Sequence, residues 1–102
     1  GGCYIMGKEV EVKAYVWKQC RGGDTYSLQV ESSKNGVRVT NKINKLAEAT
    51  NWCPSGTSVG GKKLTLLFTR KFDSESELKK WAKEFPYEVF YEGTNGKQRR
   101  IG

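Results

Sequence analysis

The chain contains no histidine. That removes the side chain most often used as a general base near neutral pH, and with it a major zinc ligand. Its three cysteines, Cys3, Cys20 and Cys53, are odd in number and widely spaced, with no paired metal-ligand spacing. A secreted domain of this size would carry an even, disulfide-forming set. Free, partly buried thiols in an intracellular, cytoplasmic protein are therefore the expectation. Long apolar runs are missing as well: no stretch approaches a membrane span, and no signal-peptide pattern opens the chain. The first residues, GGCYIMGK, include Gly1 and Gly2, which read as a cloning remnant, with Met6 as a native initiator. Residues 1–7 are expected to be flexible or partly vector-derived.

Positive charge, by contrast, is in excess. Lysine and arginine total 18 against 11 acidic residues, a net charge of +7 and a pI near 9.4. The excess is unevenly placed. Residues 1–33 hold Lys8, Lys13, Lys18 and Arg21 against Glu9, Glu11, Asp24 and Glu31, which sum to zero, so all of it lies in residues 34–102. A localised positive field favours polyanions: nucleic acid, an anionic membrane surface or an acidic protein. With 102 residues, of which 36% are hydrophobic and 28% charged, the sequence fits a single domain with a modest core and a charged surface.

Hydropathy patterning supplies the elements. Val10, Val12, Ala14 and Val16 share one face of a strand, while Glu9, Glu11, Lys13, Tyr15 and Trp17 share the other. Gly22 and Gly23 turn the chain into a second strand whose Tyr26, Leu28 and Val30 continue the apolar face. Lys34-Asn35-Gly36 reads as a hairpin turn, with Val37 and Val39 as a short third strand. Thr40 or Asn41 can then cap a helix bearing Ile43, Leu46, Ala47 and Thr50 at helical spacing, which Pro54 stops. A glycine-rich loop leads to KKLTLLFTRKF, an apolar strand central in the sheet. Ser74 and Glu77 make a capping box for a second helix, whose stripe is Leu78, Trp81, Ala82 and Phe85 and whose stop is Pro86. A final hairpin turns at Asn95-Gly96. The order βββαβαββ is an α+β, two-layer domain: an antiparallel or mixed sheet of about five to six strands with two amphipathic helices on one face.

Chemistry-bearing motifs are weak. GTSVGGKK, Gly56 to Lys63, matches a phosphate-binding loop at Gly56, Gly61 and Lys62, yet Lys63 stands where Ser or Thr should hold magnesium, and a strand follows instead of a helix. Glu11-Val12-Lys13 resembles half of a metal-dependent nuclease motif, with only Glu9 of the same strand upstream. Asp73, Glu75 and Glu77 belong to a helix N-terminus, where they complement the dipole. No enzymatic activity, cofactor or metal is expected.

Binding is the better expectation. Basic residues collect at hairpins and helix surfaces: Lys34 with Arg38; Lys42 with Lys45; Lys62 with Lys63; and Lys97 with Arg99 and Arg100. Basic antiparallel ribbons can enter a groove or track phosphates. Two such wings beside a short helix resemble, in topology alone, the double-wing DNA-binding domains of phage transcription activators, which implies DNA contact through the wings. The function expected is thus a small non-enzymatic nucleic-acid-binding or regulatory domain, with DNA favoured over RNA. A second expectation is a protein-interaction module, an inhibitor or adaptor with an acidic protein partner, or a homodimer. Its candidate interface is either the basic patch or the sheet face of Tyr15, Trp17 and Phe90, where Glu9, Glu11, Glu31, Glu88 and Glu92 would repel phosphates.

Overall fold

The period-two alternation near the start of the chain sets one face of a sheet, and the computed structural model of the protein shows what covers it. The structure describes residues 11–19, 23–33, 37–60, 63–93 and 96–102. In chain order the elements are β1 (Val12–Lys18), β2 (Thr25–Ser32), α1 (Val37–Ala49), β3 (Cys53–Gly60), β4 (Lys63–Lys71), α2 (Glu75–Glu84), β5 (Glu88–Glu92) and β6 (Gln98–Arg100). The strands form one six-stranded sheet in the order β3-β4-β2-β1-β5-β6. Neighbours are antiparallel except β1 and β5, which run parallel. Ala14, Val16, Leu28, Val30, Leu66, Phe68 and Val89 line the inner face of the sheet and share one core with Ile43 and Ala47 of α1 and Leu78, Trp81 and Ala82 of α2. The domain is the expected two-layer α+β arrangement.

One strand stands elsewhere than its sequence suggested. Val37 and Val39 do not form a third strand; they open α1. Val39 lies four residues before Ile43 and packs against the same core, so the helical stripe begins there. β-branched residues disfavour a helix by only tenths of a kcal/mol per residue, which burial of that stripe outweighs. The expected turn at Lys34 to Gly36 lies outside the described residues. The third strand is instead Cys53–Gly60, which had read as a loop. It pairs with β4 along its length, with a register shift between Pro54 and Gly56. Such a bulge, and a proline, are features an edge strand accommodates.

α1 stops before Pro54 is reached. Asn51 adopts φ 67°, the amide of Trp52 donates to the Ala47 carbonyl at 2.9 Å, and that of Asn51 donates to the Glu48 carbonyl at 3.1 Å. This is a Schellman ending, and asparagine is one of the few non-glycine residues that enter the left-handed region readily. Arg70 on β4 closes the same end: its guanidinium donates to the Thr50 carbonyl and lies over the Phe72 ring, 4.2 Å from the centroid. The ending directs Trp52 into the core.

α2 matches its expectation closely. The Ser74 hydroxyl accepts from the Glu77 amide at 3.3 Å, Glu75 and Glu77 occupy the first turn, and the helix closes at Phe85 before Pro86. Its buried side meets Gly102: a Cβ there would fall 2.2 Å from the Ala82 carbonyl oxygen, so only glycine fits. Ile101 donates to the Val89 carbonyl at 2.9 Å, which extends the β6 pairing beneath the helix.

The rings between sheet and helices form a chain of contacts. Tyr26, Phe72, Trp52, Trp81, Phe85 and Tyr87 follow one another with centroid separations between 5.0 and 5.7 Å. Neither buried indole Nε1, of Trp52 or Trp81, has a hydrogen-bond partner among the described residues. Packing and ring-edge contacts therefore hold both indoles. Trp81→Ala should destabilise the domain by about 3–5 kcal/mol, lowering Tm by more than about 10 °C. A Tm within a degree or two of wild type would reject this packing. Burial, with smaller contributions from Tyr91, Glu75 and Asp24, raises the Tyr26 phenol above its ordinary 10.0. The unfolded phenol then ionises first as pH rises, so Tyr26 contributes stability below pH 10 that is lost above it. Between about pH 8 and about pH 11, urea midpoints should fall less for Tyr26→Phe than for wild type.

Candidate nucleic-acid interface

The helical register of α1 brings three cations onto one stripe. Arg38, Lys42 and Lys45 stand at i, i+4 and i+7, all exposed, on the side away from Ile43 and Ala47. The helix has no acidic residue in its first turn. With Glu48 its only acid, its charge is three minus one, or +2. No ion pair joins these three cations to a carboxylate among the described residues. The Lys42 ammonium lies 5.9 Å from the centroid of the Tyr87 ring, leaning toward the end of α2. α2 differs in balance: Lys79, Lys80 and Lys83 face Glu75, Glu77 and Glu84 within the same ten residues, three minus three, or zero. Lys79 and Glu75 approach to 4.0 Å.

The expected second hairpin forms between β5 and β6, with Asn95 of its turn outside the described residues, but its arginines are engaged within the fold. Gly96, at φ 80°, closes the β5–β6 hairpin, whose Gly93 amide donates to the Lys97 carbonyl at 3.0 Å. Lys97 is exposed on it. Tyr91 pairs with Arg99 and Phe90 with Arg100, so the two arginines point to opposite faces of the sheet. Arg99 donates to Glu75 at 3.1 Å and covers the Tyr91 ring at 5.5 Å, tying β6 to the start of α2. Arg100 stands 3.9 Å from Glu88 and its Nε donates to the Gly102 carbonyl at 3.1 Å.

The remaining basic positions are dispersed. Lys34 and Lys62 lie outside the described residues. Lys63 opens β4 and lines a shallow depression with Glu11, Lys13 and Glu31. Two carboxylates offset two ammonium groups there. Gly56 to Gly60, five of the eight residues that resemble a phosphate loop, belong to strand β3 and form no loop. Glu11 immediately precedes β1, and no cluster of three or more His, Cys, Asp or Glu that could hold a metal occurs among the described residues. Cys53 is free and exposed on β3, where a partly buried thiol was expected. No helix among the described residues is long and apolar enough to cross a membrane.

The outer face of the sheet carries the aromatics that alternation placed there. Tyr15, Trp17 and Phe90 are half-buried. Strand register aligns Leu67, Gln29, Tyr15, Phe90 and Arg100 in one row across β4, β2, β1, β5 and β6. Within it the Tyr15 and Phe90 rings stack at 5.8 Å with a 25° interplanar angle. The next row alternates in sign: Glu31 opposite Lys13, and Lys13 opposite Glu88. Lys13, Lys63, Lys71 and Arg100 thus share this face with Glu11, Glu31, Glu88 and Glu92, so it has little net charge. Among the described residues charge is segregated by layer, and α1 carries a net positive charge that no ion pair offsets.

Comparison with protein families, with curated proteins and with solved structures finds no match. The site therefore rests on its geometry. Arg38 was expected as a hairpin residue beside Lys34; the structure makes it a helix residue in register with Lys42 and Lys45. The i, i+4, i+7 spacing of these cations is the signal in the sequence that would have grouped them. Phe90→Ala should cost about 1 kcal/mol, the scale of a cross-strand aromatic pair at a half-exposed site. A loss as large as that of Trp81→Ala, measured by urea unfolding, would contradict the half-exposed placement of this ring.

Proposed function

We propose that this domain is a small non-enzymatic nucleic-acid-binding module that meets phosphates with the outer face of α1. The observation that carries the reading is the stripe of Arg38, Lys42 and Lys45, exposed and without carboxylate partners among the described residues. A basic stripe along one helix is the electrostatic footprint of such binders, and an α-helix is of a width the major groove of duplex DNA admits. DNA is favoured over RNA for the same reason, since the deep major groove of A-form RNA excludes side chains. The aromatics do not contribute: they sit on the opposite face among carboxylates. The wing arginines contribute less than their charge suggests, because their guanidinia already serve Glu75, Glu88 and the Gly102 carbonyl.

A second reading has its own observation. The Tyr15–Phe90 stack on a charge-balanced sheet face suits contact with another protein, as an inhibitor or adaptor would make. An acidic partner could equally take the α1 stripe.

Salt dependence separates these readings. Each phosphate contact contributes roughly 0.9 to the slope of log affinity against log salt on duplex DNA. Arg38→Ala with Lys45→Ala should weaken binding at low salt and flatten the slope by about two units. Lys79→Ala with Lys83→Ala, and Arg99→Ala with Arg100→Ala, remove the same charge and should change it much less. Equal losses from the three pairs would reduce the interaction to non-specific attraction. Absence of any mobility shift on duplex DNA, single strands and RNA would reject the reading in favour of a protein partner.

A further inference from the structure

The two edges of the sheet are built differently. β6 is three residues long and two of them are arginines, which is how natural sheets discourage pairing with another chain. β3, at the opposite edge, runs for eight residues, every one exposed and none charged. Its protection is confined to one end, where Pro54 and the register shift before Gly56 interrupt the edge. From Gly56 to Gly60 there is no proline, no bulge and no charge. Thr57 and Val59 pair with Leu66 and Leu64, which are buried, so both side chains point to the helical side of the sheet. The helix does not cover them: Val59, 58% exposed, is the exposed large hydrophobic side chain among the described residues.

We infer that a second copy of this chain pairs here, β3 against β3 antiparallel, about a twofold axis through Ser58. In that register Thr57 stands opposite Val59 of the second copy, and Val59 opposite its Thr57. The same two β-branched side chains thus complement each other twice, on the side left uncovered in the monomer. Gly56 and Gly60 flank the pairs and admit the neighbouring backbone. The occupant is a second copy because the seam is neutral in a chain of charge +7. Two such chains repel across their basic surfaces, and the β3 edge brings them together without opposing like charges. The axis stands perpendicular to the sheet, so both helical layers lie on one side of a continuous twelve-stranded sheet (six from each copy). α1 lies on that helical side, touching β3 and β4 without covering Val59, so one basic stripe stands on each side of the axis. The pairing rests on the strand edge alone, and does not depend on what α1 binds.

A seam this short belongs among the small, weak interfaces, with dissociation on the order of 10⁻⁵ M. Sedimentation equilibrium under reducing conditions, without nucleic acid, should show a reversible dimer for wild type and a monomer for Val59→Lys. The melting temperature should not change. Ser58→Cys gives a second measurement that does not require a destabilising change. With Cys3, Cys20 and Cys53 replaced by serine, its thiols meet on the twofold axis at a Cα separation of about 4.5–5.5 Å, within disulfide reach. Mild oxidation should cross-link Ser58→Cys much faster than Gln98→Cys on the opposite edge. A wild-type chain that stays monomeric at millimolar concentration, or equal cross-linking rates at the two edges, would overturn the proposal.

Discussion

Trp52 and Trp81 meet with their ring centroids 5.0 Å apart, and the rest of the domain depends on that contact. Trp52 reaches it only because the Schellman ending at Asn51 turns the chain inward after α1. Trp81 reaches it because Ser74 starts α2 in the register that buries Leu78, Trp81 and Ala82. The indoles therefore couple the two helix ends to each other and, through Phe72 and Tyr26, to the sheet. Two helices that join distant strands are held on one face by this contact, because apolar area of that size is stable only when water is excluded from both sides.

Covering one face of the sheet decides how charge is distributed. With the apolar residues of β1, β2, β4 and β5 turned inward, alternate residues face outward: aromatic and charged on β1 and β5, polar with Glu31 on β2. Opposite signs then meet across strands, as Glu31, Lys13 and Glu88 do, and the outer face approaches neutrality. The helices obey a different period. On α1 the outward positions collect Arg38, Lys42 and Lys45, with Glu48 the one acid on the helix and no ion pair to them among the described residues. The surplus of positive charge follows from which side each element buries. Local pairing then distinguishes apparently equivalent cations: Arg99 anchors β6 to Glu75, while Arg38 has only solvent to meet among the described residues.

The edges complete the picture. A six-stranded sheet leaves two, and the chain ends one with a short arginine-bearing strand and the other with a long uncharged one. Glycine and small residues allow β3 to pair with β4 despite weak strand preference, because at an edge only one side must be satisfied. The same composition leaves its edge exposed and without charge among the described residues.

Much of the architecture was legible in the residues. The alternation of Ala14 and Val16 with Tyr15 and Trp17, the Ser74–Glu77 cap and the stripe of Leu78, Trp81 and Phe85 are local patterns, and local patterns survive folding when burial agrees with them. The α+β class and the aromatic outer face were fixed at that level. The position of the third strand was not. Val37 and Val39 fit a strand or a helix equally well over three residues, and burial of Val39 beside Ile43 settled the matter. CPSGTSVG carries no periodic apolar signal, so its pairing with β4 could come only from the partner strand. The charge of each basic residue was likewise visible, but its availability was not. That depended on whether a carboxylate from a distant segment, such as Glu75 for Arg99, arrives within hydrogen-bond reach, and such distances exist only once the chain has packed.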